Sequence, residues 1–195
     1  LNEVINDQNE TITKGLEDLD DRCKEYDEIG AKFTKWRSVI NIGDSIPSDE
    51  CINQNMDILA KYAKIAQNNN MVPIVEPEVL INGVHDIHRA YEVSSACLSV
   101  LFEELEKKNV LIEGCILKPS MVTPGMDSEH TSTVEKVARM TAGISAIAPI
   151  TAHSFLVGPL NNAVPAFGTN QLMDKTRNVI INVKIMSTTL RPHNN

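Results

Sequence analysis

Aromatic residues make up only 4% of this 195-residue chain, and there is a single tryptophan. The core must therefore rest on Ile, Val, Leu, Met and Ala, as in folds whose parallel strands are covered by helices on both sides. No apolar run reaches the roughly 18 to 20 residues that a membrane span needs. The most apolar stretch, Gly143 to Leu160, is interrupted by His153, Ser154 and two prolines. Basic charge is also scarce, with 18 Lys and Arg against 26 Asp and Glu and a formal net charge of −8. That balance argues against a nucleic-acid backbone or an anionic membrane as partner, so any bound phosphate must be met by local basic groups. Neither a GxGxxG nor a GxxxxGK(S/T) segment occurs, which leaves a nucleotide-loop enzyme without support. The four cysteines, Cys23, Cys51, Cys97 and Cys115, are too far apart for C-x-x-C pairs and read as reduced thiols of an intracellular protein.

What is present is an alternation of helical and strand patterns. Thr13 to Asp27 carries Leu16, Leu19, Cys23 and Tyr26 at helical spacing. Phe33 to Ile42 is rich in β-branched and aromatic residues and reads as a strand. Ser48 then offers an N-cap, with Asp49 and Glu50 in the first helical turn, where the helix dipole favours carboxylates. Ile52, Met56, Leu59, Ala63 and Ile65 or Ala66 give this helix its apolar face, and Asn68 to Asn70 ends it. Met71 to Val75 reads as a buried strand stopped by Pro77. A helix from about Asp86 to Lys108, a strand from Val110 to Leu117 and a helix from Glu129 to Arg139 follow, with a fourth strand in the apolar stretch after it. Asn178 to Ile185 is a candidate fifth strand, and Ser187 to Asn195 reads as a tail.

Strand, helix, strand, helix, strand is the pattern of a parallel α/β sheet. Lys35, Glu76 and Lys118 lie 41 and 42 residues apart, on or just after three successive strands. In a (β/α) barrel such positions converge at one end of the ring. A closed eight-stranded barrel takes about 250 residues. Four or five strands therefore predict either an incomplete barrel or a smaller open sheet.

Lys118 ends an apolar strand and is stiffened by Pro119. A lysine attacks carbonyls when desolvation or a neighbouring cation exposes its neutral amine. Lys35 is the candidate cation, and strand alternation puts Lys35 and Arg37 on one face and Trp36 and Ser38 on the other. Glu76 and Glu78, two residues apart, form a candidate proton donor and acceptor pair. The plain alternative is that these are solvated strand-end lysines, edge charges and loop acids. His85 and His88 are spaced like metal ligands but read as a solvated helix start, and Asn9-Glu10-Thr11 is an incidental sequon.

At these residues the sequence resembles class I fructose-1,6-bisphosphate aldolase, the metal-independent Schiff-base enzyme. The segments that carry the resemblance are E-T-I-T-K-G-L from Glu10, K-W-R from Lys35 and V-P-I-V-E-P-E-V-L from Val72. They continue with H-D-I from His85, L-I-E-G-C-I-L-K-P from Leu111 and M-V-T-P-G from Met121. The resemblance implies a TIM barrel, here a partial (β/α) barrel over 1–160 followed by a divergent tail over 161–195, without cofactor or metal and acting on a phosphorylated sugar. Lys118 would form the Schiff base, Glu76 would shuttle protons and Lys35 would assist. Arg37 would help hold a phosphate, Glu78 would orient the lysines, and Gly158 would belong to the phosphate loop. Aldol cleavage of fructose 1,6-bisphosphate to dihydroxyacetone phosphate and glyceraldehyde 3-phosphate is the implied reaction. The implied setting is the cytoplasm, with a plastid as the alternative, and the implied assembly is a homo-oligomer, a tetramer in the family.

The departures define a second expectation. The family's earlier aspartate and second lysine have no counterpart here, Ser120 stands where many members carry asparagine, and F-L-V-G-P from Phe155 replaces a Ser-Gly-Gly loop, leaving Gly158 as its match. Neither the S-Y-G-R segment nor the C-terminal tyrosine tail is found. The alternative function is accordingly a truncated, catalytically impaired relic or a non-catalytic interaction protein.

Overall fold

The computed structural model describes residues 2–145, residue 147 and the pair His153–Ser154. The elements run β1 (Asn2–Val4), β2 (Thr11–Thr13), α1 (Leu19–Glu28), β3 (Phe33–Ile40), α2 (Asp49–Asn68), β4 (Val72–Val79), α3 (Ile87–Lys107), β5 (Ile116–Leu117), α4 (Val134–Ser145) and β6 (His153–Ser154). Strands β3, β4, β5 and β6 lie side by side in chain order, all parallel. A helix separates each strand from the next, which is the progression of a (β/α) barrel. Among the described residues the partial barrel thus has four parallel strands. The candidate strand Asn178 to Ile185 and the 161–195 tail lie outside the described residues.

The two faces of the sheet are set by period-2 alternation. On β3, Trp36, Ser38 and Ile40 are buried while Phe33, Lys35 and Arg37 are exposed. The buried side packs on α2 and α3, where Met56, Leu59, Ala63, Leu98 and Leu101 are almost wholly enclosed. Each such leucine contributes about 1.5 to 3 kcal/mol of burial. Trp36 rests on Tyr62 of α2, ring centroids 5.5 Å apart. The Tyr62 hydroxyl accepts from Thr34 at 2.7 Å and from the Ile74 amide at 3.2 Å, tying the helix to β3 and β4.

The Ser48 cap expected from sequence is found, and α3 has a cap of the same kind. Ser48 accepts from the Cys51 amide, and Asp86 does the same for Arg89. The helix expected from Thr13 begins only at Leu19, because Thr11–Thr13 pairs antiparallel with Asn2–Val4 and Gly15 takes φ +123°. The helix expected from Glu129 begins at Val134, where Thr133 caps the Lys136 amide at 3.2 Å. The strand expected from Val110 shortens to Ile116–Leu117. Here Gln67 of α2 donates to the Leu111 carbonyl at 2.7 Å and accepts from its amide at 2.9 Å, and a 3-10 turn follows over Ile112–Gly114.

The correction that matters most for the site concerns Pro77, which does not stop β4. The Val72 and Leu80 amides donate toward β3, whereas the Val75 carbonyl accepts from Lys118 on the β5 side. Alternation directs the missing N–H of Pro77 to the β5 side, beyond the two-residue ladder that ends at Leu117. The bond it would have made to the Lys118 carbonyl is forgone and the β5 ladder ends, but the ladder to β3 is untouched and carries the strand on to Val79.

Candidate active site

Because β4 continues through Pro77, both glutamates stand on a strand rather than in a loop. The register pairs Arg37 with Glu76 and Val39 with Glu78, which puts both acids on the sheet face that carries Lys35 and Arg37. Lys118 follows β5 directly, and its amide donates to the Val75 carbonyl at 2.9 Å. Three separate strands therefore deliver their charged side chains to one face.

Glu76 is the centre of the cluster, with its side chain 6% exposed. One carboxylate oxygen, Oε1, accepts a hydrogen bond from the Lys118 ammonium. The Lys35 ammonium lies 2.8 Å from Oε2 as an ion pair, off the hydrogen-bonding direction. Burial alone would raise the Glu76 pKa, but the ammonium groups of Lys118 and Lys35 outweigh it and hold the carboxyl below its ordinary value. Glu76 is thus a carboxylate at neutral pH, and the first proton it can exchange belongs to a lysine. A buried charge of this kind persists because two opposite charges accompany it.

One step along the sheet, Glu78 pairs with Arg37. This differs from the expected contact of Glu78 with the lysines: the diagonal across the β3–β4 register brings the guanidinium to it instead. Each acid is matched to its own cations, Glu76 to Lys118 and Lys35 and Glu78 to Arg37. Lys118, Lys35, Glu76, Arg37 and Glu78 are brought together, whereas Gly158 lies outside the described residues.

Two supports were not visible in the sequence. Thr13 of β2 donates its hydroxyl to the Arg37 carbonyl at 2.9 Å, so the short antiparallel ribbon steadies the edge of β3. Glu10, 3% exposed, accepts from the Ser48 amide at 2.8 Å and the Ser48 hydroxyl at 2.6 Å, fixing that ribbon to the start of α2. An acid just before a Thr-Ile-Thr run was the available signal, but nothing local names its partner. Among the described residues, no cluster of three or more His, Cys, Asp or Glu is placed to hold a metal ion. No helix among them is long and apolar enough to cross a membrane.

The family model for class I fructose-bisphosphate aldolase matches residues 1–163. The chain belongs to that family. A probable fructose-bisphosphate aldolase class 1 of Xylella fastidiosa is 52% identical over 132 residues, 68% of this chain and 40% of the relative. Fructose-bisphosphate aldolase 4, cytosolic, of Arabidopsis thaliana is 46% identical over 139 residues, 71% of this chain and 35% of that protein. The ternary co-crystal structure of fructose-bisphosphate aldolase from Plasmodium falciparum, in complex with TRAP and a small molecule inhibitor, superposes with a TM-score of 0.75. It shares 30% identity with this chain and covers 93% of it, against 63% of its own length. The chain thus spans about 40% of the length of the first of these aldolase relatives. The fold is that of an aldolase barrel in part, and the charged cluster stands on its parallel strands.

Proposed function

We propose that this chain carries class I aldolase chemistry: reversible cleavage of fructose 1,6-bisphosphate to dihydroxyacetone phosphate and glyceraldehyde 3-phosphate through a Schiff base on Lys118. The observation that carries the reading is the Lys118–Glu76–Lys35 cluster, in which a buried carboxylate is bonded to the ammonium that must lose a proton.

Glu76 takes a proton from the Lys118 ammonium, and the freed amine adds to the ketone carbon to give a carbinolamine. Glu76 returns the proton to the departing hydroxyl, which leaves as water, and a protonated imine remains. Lys35 keeps a positive charge beside Glu76 throughout, which favours return of Glu76 to its carboxylate. The imine accepts the electron pair of the breaking bond between the third and fourth sugar carbons, leaving an enamine on Lys118, while the fourth-carbon hydroxyl passes its proton to the Glu76 carboxylate and becomes the aldehyde. Arg37, paired with Glu78 in this structure, is the proposed holder of a substrate phosphate, and Gly158 is the proposed member of the phosphate loop. The substrate is a phosphorylated sugar, the compartment the cytosol named for the Arabidopsis relative, and the assembly a homo-oligomer.

The test is borohydride trapping with dihydroxyacetone phosphate, read by intact mass and peptide mapping. One reduced adduct on Lys118, absent in Lys118→Met, is the expected result. No adduct, or labelling scattered over surface lysines, overturns the reading in favour of a non-catalytic relic.

A further inference from the structure

The loop after β4 and the loop after β5 meet at two glycines. Gly125 donates to the His85 carbonyl at 2.8 Å, Met126 to Ile81 at 2.7 Å and Asp127 to Gly83 at 3.0 Å. A Cβ built on Gly125 would stand 2.1 Å from the Gly83 oxygen, 2.7 Å from its carbonyl carbon and 3.2 Å from the His85 nitrogen. All three neighbours are backbone atoms, which cannot swing aside as a side chain can. Gly125 is therefore required by the close approach of these two loops.

The place of this contact gives it a consequence. The β4–β5 ladder pairs only two residues, Ile116 and Leu117, and its last hydrogen bond is the one from the Lys118 amide. Between Lys118 and Gly125 the chain carries Pro119 and Pro124, and buried Val122 donates to Thr141 of α4 at 3.0 Å. Lys118 is thus held by a short ladder on one side and by this stiff strap on the other, and the strap is fastened at Gly125.

We propose that Gly125 and Gly83 form a backbone clasp that positions Lys118, making Gly125 a positioning residue for Schiff-base formation; the inference rests on the aldolase reading above. A side chain at Gly125 parts the loops and frees the strap, so the amine meets the ketone in productive geometry less often.

The experiment compares the wild-type chain, Gly125→Ala and Gly30→Ala in borohydride trapping across a range of dihydroxyacetone phosphate concentrations. Gly30 has φ +91° with nothing within 4 Å of its missing Cβ, so its alanine variant introduces backbone strain far from the clasp. Unfolding followed by the fluorescence of the single tryptophan, Trp36, matches the variants for stability. The expected result is a tenfold or greater fall in the saturating rate of Lys118 labelling in Gly125→Ala, with little change in half-saturating concentration, while Gly30→Ala labels like wild type. Equal loss in both alanine variants, or normal labelling in Gly125→Ala, overturns the clasp alone. Absence of the adduct from the wild-type chain overturns the aldolase reading, and the clasp's role with it.

Discussion

The Lys118 ammonium and the Glu76 carboxylate, 42 residues apart in sequence, are joined by a direct hydrogen bond across two parallel strands. With Lys35 on the opposite oxygen, the carboxylate separates two cations that would otherwise face each other. Glu76→Gln keeps the shape and removes both the charge and the proton acceptor. The expected outcome is a fall in the rate of Lys118 adduct formation by about two orders of magnitude or more, the usual scale for losing a positioned general base. Initial labelling rates at fixed substrate measure it; a rate within threefold of wild type would remove Glu76 from the proton path.

Acid should weaken this fold through two buried carboxylates. Glu76 is held below its ordinary value of 4.5 because two lysines outweigh burial. For Glu10, burial again opposes, and hydrogen bonds from Ser48 and Asn6 prevail. A carboxyl whose folded pKa is depressed contributes stability that is fully present above its unfolded pKa and is lost as the pH falls through the folded value. Urea midpoints read from Trp36 fluorescence should therefore hold steady near neutrality and drop below about pH 4.5, since that is where the unfolded carboxyls begin to bind protons. Glu76→Gln and Glu10→Gln should each flatten that drop. An unchanged acid slope in both would show that other carboxylates set it.

Ser48 has two duties, as acceptor for the Cys51 amide and as donor to Glu10. Removing an N-cap hydroxyl costs about 1 kcal/mol, and leaving a buried carboxylate short of a donor adds about 1 to 3 kcal/mol. Ser48→Ala should thus destabilise by roughly 2 to 4 kcal/mol, more than a cap alone explains. A double-mutant cycle with Glu10→Gln should return a coupling of at least about 0.5 kcal/mol, the range for residues in direct contact. Additive losses would mean that the two side chains do not act together in solution.

Charge pattern and periodicity made the site legible, because both are local. The alternation along Phe33 to Ile40 places Lys35 and Arg37 on the face opposite Trp36, and the regular spacing of Lys35, Glu76 and Lys118 reports one residue per strand. Pro77 misleads because its missing N–H ends only the ladder to β5, and the pairing with β3 that carries the strand past it is a tertiary fact. Thr11–Thr13 was hidden for a similar reason: three residues pair only because Asn2–Val4 lies alongside them. Gly125 looks like any glycine after a proline, and what marks it out is the Gly83 carbonyl from another loop. The resemblance pairs Glu78 with the lysines, but its partner depends on the diagonal of the register, which no single strand encodes.

That diagonal makes Glu78 a competitor for any anion that approaches Arg37. The guanidinium is half exposed and already charge-matched by the Glu78 carboxylate, which pushes its pKa further upward. A substrate phosphate must share or displace that partner before it gains a bidentate contact. Glu78→Gln removes the competing charge but retains a hydrogen-bonding side chain, so the half-saturating concentration of dihydroxyacetone phosphate should fall. Partly exposed ion pairs contribute up to about 1 kcal/mol, so the fall should be about fivefold at most. Arg37→Gln should raise the same concentration, and the rate of Lys118 labelling at saturation should change little in either variant, since neither residue touches the Lys118–Glu76 bond. The concentration dependence of adduct formation decides the matter. If Glu78→Gln weakens substrate binding as Arg37→Gln does, the pair acts as one preorganised anchor, and Glu78 orients Arg37 rather than competing for it.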